Sequence, residues 1–162
     1  MTVALNAFEV FEIAVQIERN GAKFYRKAAE LFNESDIRTL FIDLADWETR
    51  HEQFFQDMGK QLVKLNKKTR TIDPEKKEFE PKLMACLGVF GPGSEPVHRL
   101  RSLENTSEVL KRAIEKEKDS ITFYEGLKDF VPDRIDKKKI DNIIEEEMHH
   151  IEILNQALKQ RE

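Results

Sequence analysis

The chain has 162 residues, of which 40% are hydrophobic and 36% charged, with only six glycines and five prolines. This length predicts one domain, and this composition favours long solvated helices over a turn-rich β fold. The net charge of -4 is spread over interspersed acidic and basic residues, which excludes a basic surface for nucleic acid, and the single cysteine, Cys86, excludes an intramolecular disulfide.

The N-terminus and the apolar stretches predict a cytoplasmic location. The first residues lack the charged-then-apolar layout of a signal peptide. The longest uncharged stretch, residues 83–94, contains three glycines and is too short to cross a bilayer as a helix. We therefore expect a soluble protein that does not contact a membrane.

The first half of the chain predicts a helical hairpin. Apolar residues recur every three or four positions over residues 7–32, and Asn6 and Glu9 can form a capping box in front of them. After the break at residues 33–35, a second stripe predicts a helix over residues 36–62. The short connection makes the two helices antiparallel neighbours.

A crossover is predicted over residues 63–106, which contain four of the five prolines and one short apolar piece, residues 83–90. A third helix is predicted over residues 107–131, where Pro132 ends it, and a fourth over residues 134–160. The sequence thus predicts an all-α, antiparallel four-helix bundle in which two hairpins are joined by a long crossover.

An internal repeat relates the two hairpins. A shift of 99 residues places the second half on the first and brings charged residues of the apolar stripes onto one another. The coinciding pairs are Glu18 with Glu117, Glu48 with Glu147, His51 with His150, and Phe24-Tyr25 with Phe123-Tyr124.

These charged residues face the predicted core, and burying four carboxylates together is unfavourable unless cations neutralise them. Two divalent cations would balance the four charges. One Glu from each of two helices and a Glu-x-x-His from each of the other two is the ligand set of di-iron and di-manganese bundles. The predicted metal ligands, which would carry any catalysis through the metals, are Glu18, Glu48, His51, Glu117, Glu147 and His150.

The stripe decides between two overlapping motifs on the fourth helix. Glu147 and His150 continue the apolar stripe and obey the 99-residue shift, whereas Glu146 and His149 fall on its flank. Glu115, beside the lysines of the third helix, is expected to be solvated.

Other residues allow two interpretations each. Tyr25 and Tyr124 are either hydrogen-bond donors to carboxylates of the opposite metal or ordinary core aromatics. Gly21 indicates either close helix packing or room beside the metal. Trp47 precedes a ligand, and we expect it to anchor a core or an interface. A lone His98 or Cys86 in the crossover is not assigned as a ligand.

The chain resembles the rubrerythrin family of the ferritin-like superfamily across all four helices. The resemblance is carried by Ile17-Glu18 through Phe24-Tyr25, by Trp47-Glu48-Thr49-Arg50-His51, by Glu117 to Phe123-Tyr124, and by residues 145–154. It implies a ferritin-like fold, a non-haem di-iron centre and reduction of hydrogen peroxide. It also implies that Glu48 and Glu147 bridge the metals and that the other four ligands are terminal.

Two departures from the family pattern bear on activity. The four cysteines of a rubredoxin domain are absent from this sequence, so the resemblance implies that a separate protein donates electrons. The peroxidase site of the family has an additional glutamate one turn after the third-helix ligand, and Ser120 stands at that position.

Three functions follow, in order of preference. The first is a di-iron oxidoreductase that reduces hydrogen peroxide, and the second is a ferroxidase or iron-handling protein that uses oxygen. The third is a metal-stabilised helical module that binds a partner through residues 83–90 or an exposed bundle face. Manganese or zinc could occupy the same ligands as the two iron ions. We also expect a homodimer, because such bundles often pair through helix faces.

Overall fold

The computed structural model describes residues 4–69, 77–78, 100 and 105–162. Within this part of the chain there are four long helices, with bounds close to those predicted. They are α1 (Ala7–Leu31), α2 (Ser35–Thr69), α3 (Thr106–Leu127) and α4 (Arg134–Lys159). Cys86, His98 and residues 83–90 lie outside the described residues.

Side-chain caps fix where three of the helices begin. At α1 the predicted capping box is confirmed, because the Asn6 side chain accepts from the Glu9 N–H while the Glu9 carboxylate accepts from the Asn6 N–H. The Asn105 side chain accepts from the Glu108 N–H at the start of α3, and Asp133 caps α4 in the same way. These caps satisfy N–H groups that lack a partner inside the helix.

Helix α2 continues seven residues beyond the predicted end at residue 62. The prediction stopped where the apolar stripe fades. Residues 63–69 contain neither glycine nor proline, however, and lysine and leucine are good helix formers. The helix therefore continues past the bundle core on intrinsic propensity, with Lys64 and Leu65 exposed.

Helix α3 ends earlier than predicted, at Leu127 rather than at residue 131, and a 3-10 turn over Lys128–Phe130 follows it. Proline disfavours helical geometry in the residue before it, and Val131, before Pro132, is extended with φ -113° and ψ 113°. The last turn tightens to accommodate this change.

Two short strands were not predicted. β1 (Ala4–Leu5) pairs antiparallel with β2 (Lys77–Glu78), with Ala4 opposite Glu78 and Leu5 opposite Lys77. This pairing brings the chain after α2 back to the start of α1. Two residues per strand are too few for a sheet to contribute much stability on its own.

The helices pack as two hairpins, α1 with α2 and α3 with α4. The predicted all-α, antiparallel four-helix architecture is confirmed. Two clusters of buried apolar residues fill its interior, and both draw on all four helices. Core 1 comprises Val10, Phe11, Ala14, Ile17, Phe55, Met58, Phe123, Tyr124, Leu127, Val131, Ile140, Ile143 and Ile144. Core 2 comprises Phe24, Tyr25, Ala28, Ala29, Ile37, Phe41, Leu44, Ala45, Leu100, Val109, Leu110, Ala113, Ile114, Leu154 and Ala157.

None of the helices in the described ranges combines the length and the apolar character that a membrane span requires.

Candidate metal centre

The six predicted ligands lie between core 1 and core 2. On every helix the predicted ligand or ligands follow a residue of one core and precede a residue of the other, as Glu117 does between Ile114 and Phe123. Water is therefore excluded from both ends of the site by packed side chains. No ligand residue is more than 2% exposed: Glu18, Glu48, His51, Glu117, Glu147 and His150.

The side chains form two overlapping groups. In each group one ligand atom per residue lies within 4.8 Å of the others. Group A comprises Glu18, Glu48, His51 and Glu147. Group B comprises Glu48, Glu117, Glu147 and His150. Glu48 and Glu147 belong to both, which is the arrangement of two carboxylates shared between neighbouring cations.

Both histidines turn the same nitrogen toward the carboxylates. The Nδ1 atom of His51 lies 3.0 Å from Glu147 Oε1 and 3.7 Å from Glu18 Oε2. The Nδ1 atom of His150 lies 2.9 Å from Glu147 Oε2 and 3.7 Å from Glu48 Oε1. Each imidazole is thus placed in its own group, with Glu147 between them.

The outer sides of the two imidazoles meet different residues. The Nε2 atom of His51 lies 2.7 Å from Glu146 Oε2, so a carboxylate holds this ring from outside. The indole of Trp47 instead stacks on His150, with ring centroids 4.9 Å apart and an interplanar angle of 17°. Glu146 is on the flank of α4, as predicted, yet it contacts a predicted ligand across the bundle.

Two buried tyrosines donate hydrogen bonds across the bundle. The Tyr25 hydroxyl on α1 donates to Glu117 Oε1 on α3, and the Tyr124 hydroxyl on α3 donates to Glu18 Oε1 on α1. Burial, reinforced by these carboxylates, raises the pKa of both tyrosines well above the usual value. They therefore stay protonated and remain donors.

Lys116 was missed by the sequence analysis, although it is fully buried beside the carboxylates. Its Nζ atom lies 2.6 Å from Glu48 Oε2 and 3.6 Å from Glu117 Oε2. Burial alone would lower the pKa of Lys116, but the surrounding carboxylates, Glu117 foremost, raise it, so the amine is an ammonium. The repeat held a signal for this residue: the position 99 residues earlier is Ile17, an apolar core residue.

Gly21 makes room for the ammonium. A Cβ atom at this position would lie 2.5 Å from Lys116 Cε and 2.2 Å from Glu48 Oε2, both far inside van der Waals contact. Of the two interpretations of Gly21, space beside the site is the one that the geometry supports. The equivalent position on α3, Ser120, is buried and its hydroxyl donates to the Lys116 carbonyl.

The carboxylates respond unequally to their surroundings. Burial, followed by the charge of neighbouring carboxylates, raises the pKa of Glu48 well above the usual range. Burial also raises the pKa of Glu117, where Lys116 only partly opposes it. Burial alone would raise the pKa of Glu147 as well, but His51 and His150 lower it well below its usual value. Glu147, between the imidazoles, is thus held in its charged form, in contrast to Glu48 and Glu117.

The donor atoms suit divalent metals. Glu18 Oε2, Glu48 Oε1 and Glu117 Oε2 are buried and have no hydrogen-bond partner among the described residues. Unpaired buried carboxylate oxygens are costly, and cations would satisfy them. Four carboxylates and two imidazoles form a donor set that iron, manganese and zinc accept. The residues present fit a di-iron centre.

Comparison with known proteins agrees with this geometry. Residues 9–86 match the family model for Rubrerythrin. Over this segment the chain is similar to the rubrerythrin family. The matched segment contains Glu18, Glu48 and His51, and the predicted resemblance is confirmed. No protein of curated function matches the sequence.

The chain is also similar to a solved structure. This is a protein from Thermotoga maritima, provisionally assigned as a ferritin-like diiron-carboxylate protein, whose crystal structure was determined at 2.30 Å resolution. The two sequences are 25% identical, the TM-score is 0.75, and the alignment covers 98% of each chain. The similarity therefore includes both hairpins, and the predicted ferritin-like fold is confirmed.

Proposed function

We propose that this chain is a di-iron oxidoreductase that reduces hydrogen peroxide with electrons from a separate protein. The observation that carries the proposal is the pair of buried groups A and B, which share Glu48 and Glu147. Glu18 and His51 would complete the first metal position, and Glu117 and His150 the second. When bound, two ferrous ions would supply the two electrons that convert one peroxide and two protons to two waters.

The protein's own contribution is to hold the ligands in place and keep the site dry. Core 1 and core 2 exclude water from both ends, which strengthens every charge interaction inside. Tyr25 and Tyr124 hold Glu117 and Glu18 through hydrogen bonds, so that one oxygen of each carboxylate remains for a cation. Because these hydroxyls keep their protons, neither tyrosine competes as an anionic ligand.

A surface depression supports access for a small oxidant. It has a volume of about 560 Å³ and is lined by His150 and Trp47, between α2 and α4. Its other lining residues are Arg50, Asn142, Glu145, Glu146 and His149. Peroxide is small enough to approach from this side, and the same surface would bring a donor protein close to His150.

A second candidate, a ferroxidase that oxidises ferrous iron with oxygen, is favoured by one observation. Ser120 stands where the peroxidase site of the rubrerythrin family has an additional glutamate, and its hydroxyl is bound to the Lys116 carbonyl. This position therefore offers no carboxylate to a metal. The two candidates share the same ligands and differ in the oxidant.

The oxidant distinguishes them in one experiment. Protein loaded with ferrous iron without oxygen is mixed with one equivalent of hydrogen peroxide or with dissolved oxygen, and the near-ultraviolet absorption of ferric iron is followed. Faster oxidation by peroxide supports the peroxidase proposal, whereas faster oxidation by oxygen supports the ferroxidase. Fewer than one bound iron per chain would contradict both.

A pair of matched variants tests whether the site is responsible. Glu117→Gln removes a predicted ligand and should abolish oxidation of the second iron. Glu115→Gln alters a glutamate two residues away whose side chain is 63% exposed, and it should behave like the unaltered protein. Equal loss in both variants would show that the oxidation does not occur at this site.

The proposed partners have their own tests. Repeated peroxide reduction should require an added electron-donor protein, because the two irons supply electrons for a single turnover. A homodimer should elute from size exclusion at about twice the chain mass of 19.0 kDa. Elution as a monomer at micromolar concentration would contradict the dimer.

A further inference from the structure

The two metal positions have unlike surroundings, although the 99-residue repeat gives them the same ligand types. Group A alone contains Glu18 and His51, and group B alone contains Glu117 and His150. The residue immediately before each of these glutamates differs in charge: Ile17 precedes Glu18, and Lys116 precedes Glu117. The repeat is broken beside the ligands themselves.

Lys116 places a positive charge against group B. Its ammonium nitrogen lies 2.6 Å from Glu48 Oε2 and 3.6 Å from Glu117 Oε2. Glu117 Oε2 has no hydrogen-bond partner among the described residues. A divalent cation bound to Glu117 would meet this ammonium at close range in a dry interior, where like charges repel strongly. The ammonium also competes with a cation for Glu48 Oε2, and it leaves only Oε1 of that carboxylate unpaired.

The outer contacts of the two histidines also favour metal binding in group A over group B. Glu146 Oε2 lies 2.7 Å from His51 Nε2, so a carboxylate makes the group A imidazole a better donor to a cation. The equivalent residue 99 positions earlier is Trp47, whose indole stacks on the group B imidazole and carries no charge. Both differences strengthen group A relative to group B.

We propose that group A binds the first metal tightly and that Lys116, with the neutral Trp47, makes group B a weaker second position. This inference rests on the proposed di-metal site and deepens it. Before the second metal arrives, the ammonium lies against the carboxyl groups of Glu48 and Glu117, in the space that Gly21 leaves open. Lys116 is a positioning residue, and the metal of group B is the exchangeable one.

The test is a titration of the full-length, metal-free protein with Co²⁺, followed by calorimetry and by the visible absorption of bound cobalt. This metal needs no oxidant or reductant, so the readout does not depend on activity. We expect two bound ions per chain with dissociation constants separated by roughly tenfold or more, or about 1.4 kcal/mol. Two equal sites would overturn the inference while leaving the di-metal site intact.

Variants identify the cause of the separation. Lys116→Met removes the charge and should tighten the second ion until the separation narrows by about tenfold. Glu146→Gln should weaken the first ion by about 10- to 100-fold, the range found when an outer partner of a ligand is lost. Lys118→Met changes an exposed lysine on the same helix, paired with Glu115, and should leave both constants unchanged.

The outcomes distinguish a failure of this inference from a failure of the proposed di-metal site. If the separation is unchanged in Lys116→Met and in Glu146→Gln, the inference is wrong. If Lys116→Met does not fold, Glu146→Gln decides alone, because that side chain is 56% exposed and leaves the core intact. Fewer than one bound Co²⁺ per chain in the unaltered protein would instead contradict the proposed di-metal site itself.

Discussion

The two helical hairpins carry the same ligand types and differ in the residues beside them. Glu18, Glu48 and His51 of the first hairpin have counterparts 99 residues later, and so does Tyr25, whose hydrogen bond to Glu117 mirrors that of Tyr124 to Glu18. The residues before two of the ligands do not follow the repeat, since Ile17 corresponds to Lys116 and Trp47 to Glu146. The comparison teaches that the repeat places the same ligand types in both groups, whereas the residues beside the ligands give the two groups different charges.

The largest expected effect comes from a ligand that both positions share. Glu147→Gln should reduce the metal content from about two ions per chain to near none, because both groups lose a charged oxygen. Glu18→Gln should remove only the group A ion. Metal analysis after dialysis measures both variants, and equal losses would contradict the shared role of Glu147.

A second prediction concerns pH and the metal-free protein. Glu48, Glu117 and His51 have folded-state pKa values raised above those of the unfolded chain, so the folded state holds extra protons. The free energy of unfolding should therefore fall as pH rises from 5 to 8, by about 1.4 kcal/mol per pH unit for each extra proton. The two glutamates contribute from the start of this range, and His51 contributes only above its unfolded pKa of 6.5. The pKa of Glu147 is lowered, and its contribution is already complete above pH 5.

Metal loading should reverse this trend, because ligands bind metal in their deprotonated forms and affinity grows with pH. Thermal unfolding of metal-free and Zn²⁺-loaded protein at several pH values provides the measurement. Parallel curves for the two forms would show that the carboxylates and His51 are not the groups that take up the metal.

The sequence could predict the fold and the six candidate ligands that the fold brings together, because both follow from periodicity. Apolar stripes identify the helices, and charged residues on those stripes identify the site. Lys116 could not be placed by the same argument, since it is next to a ligand and surrounded in sequence by other charged residues. Its burial depends on space left by Gly21 on another helix, which is a tertiary property. Glu146 likewise reaches His51 only after the hairpins pack.

A third prediction tests the symmetric part of the site. Tyr25→Phe and Tyr124→Phe each remove the donor to one buried carboxylate and should destabilise the metal-free protein by about 1–3 kcal/mol. The two losses of unfolding free energy should be similar, because each tyrosine donates to one buried glutamate of the opposite hairpin. Denaturant unfolding measures them. A much smaller cost in one variant would mean that water or another residue replaces that hydroxyl.

The smallest expected effect is the difference in stability between alanine substitutions at two helical glycines. In Gly59→Ala the new Cβ would lie 3.7 Å from Phe11 Cβ, an ordinary contact, so the variant should be stabilised by about 0.5–1 kcal/mol. In Gly21→Ala the Cβ would lie 2.2 Å from Glu48 Oε2 and 2.5 Å from Lys116 Cε. Because both side chains are fully buried and have little room to move, about 1–3 kcal/mol of strain should outweigh that gain. Thermal unfolding of the two variants side by side checks the difference. Equal stabilisation would show that Lys116 moves away without cost.

The most direct test of the central claim is anomalous diffraction from crystals of the protein loaded with one and then with two equivalents of Co²⁺. We expect the first anomalous peak among Glu18, Glu48, His51 and Glu147, and a second among Glu48, Glu117, Glu147 and His150 only at the higher loading. Peaks elsewhere on the protein, with none inside the bundle, would contradict a di-metal centre built from these six residues.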